Sequence, residues 1–267
     1  MSEPDYRRAA RIEDAVAWLR EDADAKLLAG GQTLLAAMRV RMAAPTLLID
    51  LQDLPALRGI REEGGHLWVG AMSTHASVAA SPLVRQRLPG LAALAAGIAD
   101  QQVRNRGTLG GSIANADPAA CWPTGVLALG ATVLTDRREI AADDFFQGLF
   151  TTALEPDELL LGVRFPLAPA LRYIKYEQPA SRFALTGVAV ARQASGVRVA
   201  ITGLGHGVCR WPEAEAALAR RFDPAALQGL RLDAEQASSD LHASADYRVH
   251  LAAVLTRRAV AQHLDTP

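Results

Sequence analysis

Two short stretches, eighty positions apart from Gly30 to Gly110, set paired glycines beside a hydroxyl residue. The first reads Leu28-Ala29-Gly30-Gly31-Gln32-Thr33-Leu34-Leu35, and the second Arg106-Gly107-Thr108-Leu109-Gly110-Gly111-Ser112-Ile113. Each lies between an apolar strand-like run and a helix-like run. Adjacent glycines leave backbone N–H groups unshielded and free to adopt positive φ, so such a loop can wrap an anion closely. A helix that starts just after the loop adds its own unpaired N–H groups and the positive end of its dipole. Two such loops could grip the two phosphates of a dinucleotide.

Other chemistry is sparse. Cys121 and Cys209 are far apart, so the chain lacks a C-x-x-C pair and the four thiolates an iron–sulfur cluster or structural zinc needs. The six histidines (His66, His75, His206, His242, His250, His263) show no metal-ligand spacing and read as surface or hydrogen-bonded residues. No catalytic triad or paired-carboxylate motif stands out. Gly203-Leu204-Gly205-His206-Gly207 follows a strand but lacks the spacing and the βαβ unit of a dinucleotide fingerprint, which favours a strand-end turn. Arg137-Arg138, Arg220-Arg221 and Arg257-Arg258 read as solvated faces. Arg104 and Arg106, beside the second loop, have a better claim to a cofactor or a partner.

The elements that must position these loops are legible from periodicity. Ile12, Ala15, Val16 and Leu19 predict a helix over 12–20. Lys26–Ala29, Pro45–Leu51, His66–Gly70, Ala131–Leu134 and Leu159–Pro166 read as strands; Thr33–Val40 and Leu91–Ala99 read as helices. Asp117-Pro118 reads as a helix start, interrupted at Pro123 before a second helix through Leu129. A linker is expected at Pro166–Ala170. Beyond it Arg172–Tyr176, Leu185–Arg192 and Val197–Thr202 read as an antiparallel meander, with helices at Glu213–Arg221 and Tyr247–His263.

Composition sets bounds on the rest. The chain has 267 residues, half of them hydrophobic, which suits two domains or one domain of two lobes. A net charge of −1 makes no electrostatic case for nucleic acid or an anionic membrane. No apolar run approaches a membrane span, and the polar start resembles no signal peptide, so a cytoplasmic location is expected.

The two loops resemble those of the FAD-carrying medium subunit of the molybdenum hydroxylases, the group of carbon monoxide dehydrogenase-like, xanthine dehydrogenase-like and related aromatic-hydroxylating enzymes. The family pattern Ala-Gly-Gly-(His/Gln)-(Ser/Thr)-Leu is matched from Ala29 to Leu34. Its second motif, Arg-Asn-(Arg)-Gly-Thr-(Ile/Leu)-Gly-Gly-(Ser/Asn), is matched from Arg104 to Ser112. The continuation Ala114-Asn115-Ala116-Asp117-Pro118-Ala119-Ala120 and the late stretch Ala243-Ser244-Ala245-Asp246-Tyr247-Arg248 also fit, so the resemblance spans essentially the whole chain.

This resemblance implies an α+β fold: a two-lobed FAD-binding domain of vanillyl-alcohol-oxidase type over 1–167, with lobes near 1–52 and 53–167. A C-terminal domain of a three-stranded sheet plus helices would occupy 168–267. FAD would be held non-covalently by Ala29, Gly30, Gly31, Gln32, Thr33, Leu34, Thr108, Gly110, Gly111, Ser112, Asn115 and Asp117. The N–H groups of Gly30 to Thr33 and of Gly110 to Ser112 would be the pyrophosphate donors, helped by the Thr33 and Thr108 hydroxyls. Leu160 would lie beside the adenine. Lys175 would sit at the same end, its alternative being a lysine in solvent. No catalytic residue and no metal site is implied on this chain, because the flavin carries the chemistry. The molybdenum cofactor would reside on a large subunit and the iron–sulfur clusters on a small one, with electrons leaving the flavin for an external acceptor. A stand-alone flavin dehydrogenase and a scaffold that has lost FAD are the alternatives. One departure matters: many relatives carry an acid that can hold a ribose hydroxyl where this chain has Cys121, and a thiol is a weak substitute. Cys121 either faces the ribose or points into the core.

Overall fold

The computed structural model describes residues 3–167 and 170–265. Its first sheet is a parallel one, because β1 (Asp5–Arg8) and β2 (Lys26–Leu28) are joined through α1 (Ile12–Glu21) and flank β3 (Leu47–Asp50) on either side. Ala15 and Val16 of α1 pack with Leu47 and Ile49 of β3 in a small core of their own. The first Gly loop leaves β2 and runs into α2 (Leu34–Arg39).

A second, antiparallel sheet follows, in the order β4 (Ile60–Glu63), β5 (His66–Gly70), β10 (Leu160–Pro166), β6 (Thr132–Thr135) and β7 (Glu139–Ala141). Between β5 and β6 the chain makes α3 (His75–Ala80), α4 (Pro82–Arg87), α5 (Pro89–Ala96), α6 (Gln101–Arg106), α7 (Leu109–Asn115) and α8 (Cys121–Ala128). Leu67, Val69, Val133 and Val163 of the sheet share the largest core with Leu91, Leu94, Leu109 and Trp122 of these helices. After β7 come α9 (Ala142–Phe145) and a small hairpin, β8 (Phe146–Gly148) and β9 (Thr151–Thr152).

The third sheet is the meander β11 (Ala170–Glu177), β12 (Ala184–Gln193) and β13 (Gly196–Thr202), with α10 (Pro212–Arg220) and α11 (Ala245–Leu264) packed on it. It has one strand more than the three expected. Cys209–Arg210 forms a two-residue β14 against β13, too short to leave a period-two signature in sequence. β12 shows why the strand reads as continuously apolar. Val188 and Val190 face α11 and the C-terminal core, while Ala189 and Ala191 face α8 and the main core, so both faces are buried. The glycine-rich run after β13 is the strand-end turn expected, and Gly203 N–H donates to Pro118 O at 2.7 Å.

Three local expectations are corrected. Asp117-Pro118 does not start a helix: Asp117 Oδ1 accepts from Ala119 N–H at 2.8 Å and closes a turn, and α8 begins at Cys121. Pro123 falls in the first turn of α8, where a missing N–H costs nothing, so it interrupts no helix. The helix expected to reach Ala99 stops at Ala96, and Ala99 adopts φ of 43°. The expected linker includes Ala168 and Pro169, which lie outside the described residues.

Candidate functional site

A cavity of about 610 Å³ opens where the two Gly loops meet. Ala29, Gly30, Gly31, Gln32, Thr33 and Leu34 line one side, and Thr108, Gly111, Ser112, Asn115 and Asp117 line the other. Of the expected site residues, Gly110, Leu160 and Lys175 are not among its lining.

The loops are in backbone contact. A Cβ on Gly30 would lie 2.1 Å from Arg106 O and 2.9 Å from the Gly107 Cα, so only glycine lets them close. Gly31 is required for a different reason, its φ of 73°. Among the described residues, the N–H groups from Gly30 to Leu34 donate to no protein acceptor, and the Thr33 hydroxyl has no partner. Five consecutive free donors at one end of the cavity, next to the start of α2, could cradle an anion.

The second loop works differently from the expectation of N–H donors at Gly110, Gly111 and Ser112. Gly110 N–H donates to Ala71 O at 2.8 Å, Gly111 N–H to the capping Thr108 Oγ1 at 3.1 Å, and Ser112 N–H to Thr108 O at 3.1 Å. Capping α7 through Thr108 uses the very groups a phosphate would need. Gly110 is present for packing, since its Cβ would meet Ala71 Cβ at 2.6 Å. What α7 offers the cavity is the Ser112 and Asn115 side chains, one turn apart and without a partner among the described residues.

The far wall is the turn over Asp117–Cys121. Thr202 of β13 donates its hydroxyl to Pro118 O at 2.7 Å and so ties this turn to the third sheet. Burial pushes the Asp117 carboxyl above its ordinary value, a pull that the Ala119 N–H opposes. Cys121, 6% exposed, belongs to the main core and also touches the cavity, so the two sequence alternatives are not exclusive. Burial raises its thiol, with the Lys175 ammonium and the Tyr173 hydroxyl of β11 acting downward.

Leu160 is a core residue of β10. Lys175 is not a lysine in solvent: its side chain is 6% exposed and Nζ donates to Arg182 O at 2.6 Å, with Glu177 at 3.3 Å. Through Arg182 it holds the segment Ser181-Arg182-Phe183, which does line the cavity. Arg104 likewise acts on a wall. Its Nη1 donates to Ile98 O at 2.8 Å and Ala99 O at 2.6 Å, fixing the left-handed Ala99 that faces the cavity.

Sequence reasoning missed His75, Ile98, Ala99, Val103, Arg182 and Phe183 as lining residues. They reach the cavity from elements that no motif marks. For His75 the one local signal was Thr74, whose side chain caps α3.

Comparison with known proteins fits this geometry. Residues 2–168 match the family described as FAD binding domain in molybdopterin dehydrogenase, and residues 172–263 the CO dehydrogenase flavoprotein C-terminal domain. The chain belongs to this FAD-binding family. Its members include the medium subunit of nicotine 6-hydroxylase from Paenarthrobacter nicotinovorans, 38% identical over 96% of both chains. The medium chain of carbon monoxide dehydrogenase from Hydrogenophaga pseudoflava is 37% identical over 96% of this chain and 95% of its own. The solved carbon monoxide dehydrogenase of that organism, lacking the Mo-pyranopterin moiety of its molybdenum cofactor, superposes with a TM-score of 0.90 at 37% identity, covering 97% of this chain and 96% of that one. Quinoline 2-oxidoreductase from Pseudomonas putida 86 gives 0.88 at 32% identity, covering 98% and 96%. In this family the chain is an oxidoreductase subunit with an FAD-binding domain, similar to the medium subunits of multi-subunit molybdenum hydroxylases. None of the described helices is long and apolar enough to cross a membrane.

Proposed function

We propose that the chain carries FAD in this cavity, non-covalently, and relays electrons from an iron–sulfur partner subunit through the flavin to an external acceptor, while a molybdenum-bearing large subunit oxidises the substrate. The observation that carries the reading is the run of five unpartnered N–H groups from Gly30 to Leu34, locked against Arg106 and Gly107. These donors suit the pyrophosphate; the Ser112 and Asn115 side chains suit hydroxyl and phosphate oxygens, and the Asp117 carboxyl, which also takes the Ala119 N–H, suits a hydroxyl. Leu160 and Lys175 act indirectly, as core and as the anchor of the Arg182 segment.

When bound, the isoalloxazine supplies the electron and hydride chemistry. The protein's own work is to hold the pyrophosphate, to exclude water with Ile98, Ala99 and Phe183, and to keep the reactive edge accessible to a partner. Non-covalent attachment is supported by the absence of any histidine or cysteine within the two loops and by Cys121, whose thiol burial holds protonated. We place the working boundary between the FAD domain and the C-terminal domain at 167/168, with the first lobe ending near 52. Both cysteines are free, in keeping with a cytoplasmic location.

The test is to isolate the tagged chain from its source cells and analyse the complex for flavin, iron and molybdenum. All three are expected together with two larger and smaller partner chains. A chain that turns over its own substrate alone would instead support a stand-alone dehydrogenase.

A further inference from the structure

His75 is a buried titratable group that lines the cavity and has no role so far in holding the cofactor. It opens α3, and its backbone N–H donates to Gly107 O at 2.9 Å. Trp122, fully buried in the first turn of α8, donates its indole Nε1–H to His75 Nδ1 at 2.9 Å. An indole N–H can only donate, so Nδ1 carries the lone pair and the ring proton must be on Nε2. The residue is 5% exposed and lines the cavity, and Nε2 has no acceptor among the described residues. Nε2 lies against the second loop, so close that a Cβ on Gly107 would sit 2.6 Å from it.

We infer that His75 is a tautomer-locked N–H donor to an oxygen of the bound dinucleotide, with Trp122 as the positioning residue that sets the tautomer. This rests on the reading of the cavity as the FAD site. A buried donor left unpaired is costly, and an acceptor oxygen arriving beside Gly107 would satisfy it. Burial, and the Arg104 cation of α6, push the imidazole down to about 4, so the donor is neutral across the physiological range. It therefore adds direction without adding charge to a site whose other donors are neutral amides and hydroxyls. Trp122 serves the same end: an imidazolium would turn an Nδ1–H against the indole N–H.

The experiment is nitrogen-15 NMR of histidine-labelled complex, flavin-stripped and then reloaded with FAD, with His75 assigned by its loss in His75→Gln. The expected stripped spectrum shows Nε2 protonated and Nδ1 as acceptor, and FAD should move the Nε2 resonance while Nδ1 stays unprotonated. The phosphorus spectrum and the infrared carbonyl bands of bound FAD, compared with those in His75→Leu, tell a pyrophosphate acceptor from an isoalloxazine one. His75→Gln, which keeps an amide donor near the Nε2 position, should bind FAD within about threefold of the parent, and His75→Leu about tenfold more weakly. In Trp122→Phe the lock is gone, and both tautomers should appear. An Nδ1-protonated tautomer in the parent, or an unmoved Nε2 resonance with FAD bound by absorbance, would overturn the inference alone. Failure of FAD to bind would overturn the reading of the cavity, and this inference with it.

Discussion

Gly30 and Arg106 touch through their backbones, and the room for a single methyl group separates an open cradle from a closed one. The absent Cβ of Gly30 would fall 2.1 Å from the Arg106 carbonyl oxygen, well inside any tolerable contact. Two motifs far apart in sequence therefore form one site because each presents bare backbone to the other.

Gly30→Ala must push the loops apart. An overpacking cost of about 1–3 kcal/mol is expected, together with loss of FAD. Gly97→Ala is the control, since its Cβ would meet nothing closer than 3.5 Å and its φ is ordinary. Flavin absorbance and a melting curve of each variant check this; a Gly30→Ala protein with full flavin would remove the steric argument.

His75 makes stability depend on pH. Its pKa falls from the ordinary 6.5 to about 4 in the folded chain. Between those values the unfolded chain binds a proton that the native chain does not, so stability falls as pH falls through that window. The difference corresponds to roughly 3 kcal/mol. Denaturant titrations of the parent and His75→Gln at pH 7 and pH 4 should show the variant losing less on acidification by that order. Equal losses in both would contradict a buried neutral imidazole.

Much of the frame was legible before the structure. The central strands of the parallel unit and of the meander show as continuous apolar runs because both faces are covered, and the last helix shows its apolar residues at helical spacing. The loops announced themselves through glycine. What sequence could not supply was the accounting of donors. Thr108 reads as a phosphate-binding hydroxyl, yet it caps α7 and takes the Gly111 N–H. Asp117 reads as a helix cap but closes a turn, because Thr202 and Gly203 hold Pro118 O from another sheet. His75, Arg104 and Lys175 shape the cavity through contacts set by tertiary packing, which leave no local pattern.

Lys175→Met keeps most of the buried stem but removes the donor to Arg182 O. The segment 181–183 should loosen, with FAD binding weaker by about 1.5–3 kcal/mol at most. Trypsin should cut after Arg182 faster than in the parent. Unchanged cleavage and unchanged affinity would show that the lysine does not anchor this wall.

Both thiols should be slow to react. Burial raises Cys121, and Cys209 is pushed up to about 11, so neither is a thiolate at pH 8. Alkylation at pH 8 should label neither until the chain unfolds. Cys121→Glu starts α8 with an acid beside the Lys175 ammonium, so its charge is paired and aimed at the helix N-terminus. That variant should fold and hold FAD more tightly, while Cys121→Ser changes little. A Glu variant that melts earlier and binds no better would assign Cys121 to the core alone.

The proposed site holds one FAD per chain through the Gly30–Leu34 amides, without a covalent bond. The direct measurement is acid precipitation of the purified complex, with the flavin in supernatant and pellet identified and counted per chain. One FAD per chain, all of it in the supernatant and absent from the Gly30→Ala complex, is the predicted result. Flavin retained in the pellet, or no FAD on the parent chain, would contradict it.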